Sequence, residues 1–245
     1  MSYQKMLREG GEYDLLVCGG GFSGFAAAYA AAREGLSVLL IESGGALGGV
    51  GTQGMVNHIL GVRNFEDGVL KQCIGGIFSE LEQRVLARAA GVDVRSVDFD
   101  LNPHGWKKGL ATGLVFDCEQ MKLLLEQMLC EAGARLLYYT HVVDTLTENG
   151  RITGVVVHNK SGLSKIGGRC FVDATGDGDV AALAGCGFDK GDEEGGLAAA
   201  SLEMHVEGVD TERLRAYMRD TGDVRFKTLI EALKSRGEWQ FPYDI

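Results

Sequence analysis

An α/β fold is what this sequence predicts: a mostly parallel sheet with helices around it, an antiparallel β-meander set into it, and a smaller α+β part beginning near residue 191. Three observations carry the prediction. Apolar runs at 14–18 and 37–42 flank a small-residue stretch over 22–34. Four β-branched and apolar segments crowd between residues 135 and 172. Beyond residue 210 the apolar residues recur with helical spacing.

The first unit reads YDLLVCGGGFSGFAAAYAAAREGLSVLLIE over residues 13–42, as strand, tight turn, helix and strand. Gly19, Gly21 and Gly24 stand in G-x-G-x-x-G spacing, the arrangement that cradles the diphosphate of a dinucleotide. Gly19 lets the chain turn sharply out of the strand. Gly21 lets the backbone approach a diphosphate, and Gly24 lets the helix pack tightly on the strands. Phe22 and Ser23 open the helix, whose free N–H groups and partial positive charge suit phosphates. Glu42, 18 residues past Gly24, ends the second strand, where its carboxylate can accept hydrogen bonds from ribose hydroxyls. That carboxylate would repel a 2′-phosphate, which disfavours NADP. The glycine spacing alone is weak in a chain with 37 glycines, about twice the usual frequency. The strand before it, the helix after it and the acid at the right distance give it meaning. The unit is Rossmann-like, of the three-layer kind that binds FAD or NAD(P).

The remaining elements follow in order. Residues 1–11 read as a loose leader and 43–65 as a glycine-rich segment. Leu70, Ile74, Ile77, Leu81 and Val85 are three and four apart and predict a helix over 66–90. Residues 91–115 are irregular; His104, Trp106, Lys107 and Lys108 there form either a loop that meets an anionic substrate or a solvated one. Asp117 with Gln120 resembles a capping box, opening a helix that runs to Ala132 and stops at Gly133. Strands at 135–140, 142–147, 152–158 and 164–172, with a turn at Asn149-Gly150, predict a meander over 134–173. ATGDGD (174–179) leads into a short helix at 180–184. Residues 187–196 read as a linker, 198–206 as a strand, and 211–220 and 224–236 as helices; the tail EWQFPYDI starts another strand. The domain reading is a nucleotide-binding domain over 1–190, in which 66–115 is a helical and irregular insertion, and a partial substrate domain over 191–245.

Composition narrows the function classes. A length of 245 residues with 45% hydrophobic residues supports a sizeable core. A net charge of −10 argues against nucleic acid or an anionic membrane as the main partner. The N-terminus has no signal-peptide core, and the apolar stretch at 22–32 is too short to span a bilayer. A soluble, cytoplasmic protein is expected. The six cysteines make no C-x-x-C and no paired spacing for zinc. No metal site is expected, and the cysteines read as buried small hydrophobes.

The segments ESGGALGG (42–49) and VDATGDGDVAALAG (172–185) complete the pattern. Together with the first unit and the meander, in that order, they resemble the FAD-dependent oxidoreductases of the glutathione-reductase-like superfamily, near the succinate dehydrogenase and fumarate reductase flavoproteins. The resemblance covers most of residues 13–210. It implies FAD as cofactor, a small organic substrate and hydride transfer to or from the flavin. It places the diphosphate on Gly19, Gly21 and Gly24 and the adenosine ribose on Glu42, followed here by Ser43 where the family often has a basic residue. Leu47, Gly48 and Gly49 would line the path to the flavin, with Thr52 next along it. Val142, or Val143 in the adjacent register, would offer backbone groups to the adenine edge. Ala174, Thr175, Gly176 and Asp177 would close over the adenosine and diphosphate. Family members usually continue well beyond this length and return to the flavin, so the expectation is a truncated chain, self-association, or a second chain completing the site.

His58 is the candidate general base or flavin attachment point, against the plainer reading of a packed loop histidine. Asp177 and Asp179 resemble an acid or metal pair, but turn chemistry favours a role in capping the short helix. His141, His158 and His205 read as structural or solvated. Two other functions stay open on these residues: an NAD-dependent dehydrogenase built on the Rossmann unit alone, and a non-catalytic nucleotide-binding remnant or subunit.

Overall fold

Alternating apolar runs and small-residue helices build the elements of the computed structural model, which describes residues 6–67, 69–93, 113–223 and 225–239. The strands in chain order are β1 (Arg8–Cys18), β2 (Val38–Ile41), β3 (His58–Ile59), β4 (Arg63–Glu66), β5 (Val69–Gln72), β6 (Gly91–Val92), β7 (Leu114–Phe116), β8 (Arg135–Leu137), β9 (His141–Glu148), β10 (Arg151–Asn159) and β11 (Gly162–Asp173). The helices are α1 (Phe22–Arg33), α2 (Ile77–Ala87), α3 (Cys118–Glu131), α4 (Asp179–Leu183), α5 (Thr211–Thr221) and α6 (Lys227–Ser235). The chain divides into two units, one of residues 1–57, 83–90 and 116–203, the other of 58–82, 91–115 and 204–245.

The first unit is organised on a six-stranded sheet in the order β8-β2-β1-β11-β10-β9. β8, β2, β1 and β11 run parallel, and β11, β10 and β9 antiparallel. β11 belongs to both parts. Its first half pairs with β10 as far as Gly167, and its second half continues alongside β1 to Asp173. The strands alternate their side chains between two faces. Leu16, Cys18, Leu39 and Ile41 form one cluster with Val155, Val157 and Ile166 of the meander and Val180 of α4. Val17 and Leu40, fully buried and on the other face, are left for α1 and α3. Those helices bury Phe25, Ala28, Tyr29 and Ala32, and Met121, Leu124, Leu125, Met128 and Leu129. Three layers result, held by burial of these apolar side chains at roughly 1.5–3 kcal/mol each.

Local chemistry sets the ends of the elements. The Asp117 side chain accepts the Gln120 N–H at 2.8 Å, the cap that its spacing foretells. Asn149 and Gly150 both take positive φ, 52° and 74°, as a two-residue hairpin turn requires. The predicted leader is partly strand, since Arg8 and Glu9 pair with Ser164 and Lys165. Arg135–Leu137, predicted as the start of the meander, instead joins the parallel sheet beside β2.

In the second unit, the start of the helix predicted over 66–90 is instead part of a hairpin. β4 and β5 pair across a turn in which Asp67 has φ 50°; the Asp-Gly dipeptide there is a turn signal that outweighs the helical spacing. Helix begins only at Ile77, after Gly75-Gly76. Arg63 is buried, ion-paired with Glu82, and donates to the Gly113 carbonyl at 2.9 Å. Residues 198–206 form no strand although they alternate. Leu202 and Met204 are 97% and 77% exposed, because alternation makes a strand only where a neighbour supplies the ladder. α5 and α6 fall where their spacing puts them, with Tyr217 stacked on Phe226 at 5.8 Å. The loop around Trp106 and the tail from residue 240 lie outside the described residues.

Candidate nucleotide site

The glycine turn begins where β1 stops. Gly19 donates its N–H to the Ile41 carbonyl at 2.8 Å, which ties the turn to β2. Its φ is 101°, a conformation that excludes ordinary side chains, and a Cβ there would collide with the Ala174 carbonyl. A Cβ on Gly24 would fall on the Gly19 carbonyl, so the first turn of α1 sits directly against the turn that precedes it. Gly21 is different: a Cβ there meets no protein atom within 4 Å. Gly19 and Gly24 are glycines because protein fills the space, whereas Gly21 faces open space at the helix N-terminus. Gly21 caps α1 without any side-chain hydrogen bond. Phe22 turns its ring inward against Phe116, centroids 5.9 Å apart. With Ser23 and Gly24 it therefore offers the site backbone N–H groups.

Glu42 is buried at the end of β2, 8% exposed. Its Oε2 accepts the Gly20 N–H at 2.6 Å, and its Oε1 accepts the Gly44 N–H at 2.6 Å and the Ser43 hydroxyl at 3.2 Å. A carboxylate has about four acceptor positions. Glu42 thus joins the glycine turn to the loop after β2 and keeps a position for a further hydroxyl. That internal bracing is not legible in the spacing that marks Glu42.

The loop after β2 is built from inside. Leu47 is fully buried, and Thr52, 1% exposed, donates its hydroxyl to the Leu47 carbonyl at 2.5 Å. Gly48 donates to the Gly20 carbonyl at 2.8 Å and bridges to Gly21. Leu47, Gly48 and Thr52 therefore hold the loop in place, and it presents Gly49 and Val50.

These pieces surround a cleft of ≈ 400 Å³ at the carboxyl ends of the parallel strands, the place where ligands bind in open α/β sheets. From the predicted set it gathers Gly19, Gly21, Glu42, Ser43, Gly49, Val142, Ala174, Thr175, Gly176 and Asp177. Val142 lines it; Val143, 43% exposed, does not. Gly20, Val50, Thr140, His141 and Asp179 also line it. Gly20 and Asp179 belong to the glycine turn and to ATGDGD, whereas Val50, Thr140 and His141 carry no motif and come from the chain between β2 and β9. A larger hollow of ≈ 540 Å³, between Glu12, Thr145, Lys165 and Gly167, lies towards the other end of β1 and touches none of these residues. Among the described residues no lysine or arginine lines the cleft, while Glu42, Asp177 and Asp179 do. An anionic ligand there is met by backbone N–H groups.

The rest of the predicted set lies elsewhere. His58 is half-buried in β3, opposite Val115, in the second unit. Asp177 and Asp179 do not cap α4: its cap residue is Gly178, with φ 68° and no side-chain hydrogen bond. The side chains that reach the start of α4 are Asp173, at the end of β11, which accepts the Ala181 N–H at 2.9 Å, and Thr175, which accepts the Asp179 N–H at 2.8 Å. Cys18, which pairs with Asp173 across the strands, is buried, and burial with the neighbouring carboxylate pushes its thiol up to about 12. Cys73, Cys130, Cys170 and Cys186 are exposed, against the expectation of buried cysteines; Cys130 and Cys170 lie on the solvent-facing sides of α3 and β11, and Cys73 and Cys186 lie between elements. Among the described residues no group of three or more His, Cys, Asp or Glu could hold a metal, and no helix is long and apolar enough to cross a membrane.

The chain is 27% identical over 210 residues to digeranylgeranylglycerophospholipid reductase 2 of Methanothermobacter thermautotrophicus, covering 82% of this chain and 48% of the relative. It is 27% identical over 165 residues to digeranylgeranylglycerophospholipid reductase 1 of Methanopyrus kandleri, covering 67% and 40%. The chain thus spans about half the length of the curated relatives it matches. Among solved structures, a geranylgeranyl bacteriochlorophyll reductase-like protein of Thermoplasma acidophilum aligns with 72% of this chain and 43% of its own, at 18% identity and a TM-score of 0.47. The sequence profile of the FAD dependent oxidoreductases matches residues 14–242, from the glycine turn through Glu42 and ATGDGD to the last helix, and the chain belongs to that family, whose cofactor is FAD.

Proposed function

We propose that this chain holds the adenosine diphosphate half of FAD in the Gly19–Asp177 cleft, as part of an oxidoreductase that transfers hydride between a small organic substrate and the flavin. The observation that carries the reading is the contrast among the three glycines. Protein crowds Gly19 and Gly24, while Gly21 and Gly176 open onto free space, as a close backbone approach to a ligand requires. The cleft is of a size that suits part of a dinucleotide.

Each residue has a task in this reading. The leading N–H groups of α1 meet the diphosphate, since among the described residues no basic side chain lines the cleft. Glu42 accepts from a ribose hydroxyl with the capacity its backbone partners leave free. Its charge excludes a 2′-phosphate, and Ser43 supplies no cation to offset it. Val142 and its neighbours border the adenine, and Gly49 and Val50 mark the exit towards the flavin. Bound flavin would supply the two-electron chemistry itself.

Titration of the purified 245-residue chain with FAD, ADP, NAD and NADP, followed by calorimetry, tests the reading. FAD and ADP should bind, NADP should not, and chromophore released from the purified protein should be FAD. Binding of NAD without FAD, or of no nucleotide, would refute it.

A further inference from the structure

We infer that Asp173 is a positioning residue for the nucleotide: its carboxylate holds the Ala174–Asp179 loop in the shape that faces the cleft, and it does so through the Thr175 hydroxyl. This rests on the nucleotide reading above and deepens it. The loop leaves β11 at its carboxyl end and must bend back over the cleft before α4 starts. Asp173 is the last residue of β11. Its Oδ1 accepts both the Thr175 N–H at 3.1 Å and the Thr175 hydroxyl at 2.6 Å. Its Oδ2 accepts the Ala181 N–H at 2.9 Å. The Thr175 oxygen in turn accepts the Asp179 N–H at 2.8 Å. One carboxylate therefore collects donors from the start of the loop and from α4 beyond it, and Thr175 ties the start of the loop to its end at Asp179.

Two consequences follow. The Thr175 hydroxyl gives its proton to Asp173 and accepts from Asp179, and the Thr175 N–H is also on Asp173, so Thr175 keeps no donor for a ligand and acts by shaping the loop. Asp173 itself does not line the cleft, whereas Ala174, Thr175, Gly176, Asp177 and Asp179 do. Its charge is bound to the loop from behind, as the charge of Glu42 is bound to the glycine turn. Each of two strand ends beside the cleft thus carries an acid that braces the loop leaving it.

The test uses ADP as the probe on the full chain, with affinity by calorimetry and the melting temperature without nucleotide measured on the same samples. D173N and T175V should each weaken ADP about tenfold, the loss expected from one charge-assisted hydrogen bond. T175S keeps the hydroxyl and should bind as the wild type does. The double variant D173N/T175V should be little weaker than either single one, because both break the same linkage. A purely structural role would lower the melting temperature and leave ADP affinity intact; that result overturns the inference, as do losses that multiply in the double variant. If D173N does not fold, the contrast between T175V and T175S decides. Wild-type chain that binds neither ADP nor FAD would refute the nucleotide reading itself, whereas wild-type binding with unimpaired variants refutes only the role of Asp173.

Discussion

Gly21→Ala and Gly24→Ala make the same chemical change three residues apart in the glycine turn, and the structure assigns them opposite consequences. At Gly24 the added Cβ would stand 1.8 Å from the Gly19 carbonyl oxygen, where 3.0 Å is the closest that real Cβ atoms come. Helix and turn must separate by roughly 1.2 Å (1.8 to 3.0 Å), and neither is a flexible side chain that can step aside. Overpacking of this kind costs about 1–3 kcal/mol, against a gain of about 1 kcal/mol from replacing glycine in a helix. The net loss of about 0–2 kcal/mol lowers the melting temperature by up to roughly 8 °C, at 2–4 °C per kcal/mol for a chain of this size. At Gly21 the Cβ enters free space, and φ −62° with ψ 179° suits alanine. Loss of a glycine cap and reduced freedom of the unfolded chain nearly cancel, each below about 1 kcal/mol. Gly21→Ala should therefore melt within about 3 °C of the wild type and yet bind ADP and FAD at least tenfold more weakly, since the methyl takes the space the diphosphate needs. Scanning calorimetry and nucleotide titration of both variants check this. Undiminished ADP binding by Gly21→Ala, or a Gly24→Ala variant more stable than the wild type, would refute the division of roles.

Three further outcomes are expected. Glu42→Ala leaves the Gly20 and Gly44 N–H groups without their carboxylate; charge-assisted bonds contribute about 1.5–3 kcal/mol each, so a melting temperature lower by several degrees should accompany weaker FAD binding, and loss of only one of the two would show that the carboxylate has a single role. Burial pushes the Asp173 carboxyl up, but hydrogen bonds from the Thr175 hydroxyl and the Ala181, Thr175 and Val180 N–H groups outweigh it and hold the carboxyl below its ordinary value. Its contribution is complete above the unfolded value near pH 4 and is lost as pH falls through the lower folded value, so urea midpoints should fall less steeply between pH 6 and pH 3 in D173N than in the wild type. Arg63→Met strips Glu82 of its buried partner, a change that costs about 3–5 kcal/mol; hydrogen exchange should quicken in β4 and the start of α2, and unchanged protection there would count against the pair as the anchor of the second unit.

Much of the first unit is legible in the amino-acid sequence. Gly19, Gly21, Gly24 and Glu42 announce strand, turn, helix and strand because each step needs a residue type that few others can replace. Asp117 and Asn149-Gly150 announce a cap and a hairpin for the same reason: these are local devices, complete within four residues of sequence. Sequence patterns mislead where partners are distant. Leu70 and Ile74 fit a helix by spacing, but the Asp67 turn and the β4–β5 pairing claim that stretch. Leu202 and Met204 alternate as a strand would, and no ladder receives them among the described residues.

The sequence by itself determined the strand, glycine turn, helix, strand and terminal acid on which the nucleotide reading rests, because glycine spacing and a terminal acid act within one βαβ unit. Only the tertiary structure decided how the cradle is built. It showed that the carboxylate of Glu42 braces two loops, that Thr52 and Leu47 support from within, and that His141 and Thr140 come to the rim. It also moved the bracing of the ATGDGD loop from Asp177 and Asp179 to Asp173. The physical reason is that a side-chain hydrogen bond depends on where strand ends and crossovers meet in space. Residues 42 and 173 lie far apart in sequence, and the parallel pairing of β2, β1 and β11 brings both to the same end of one sheet.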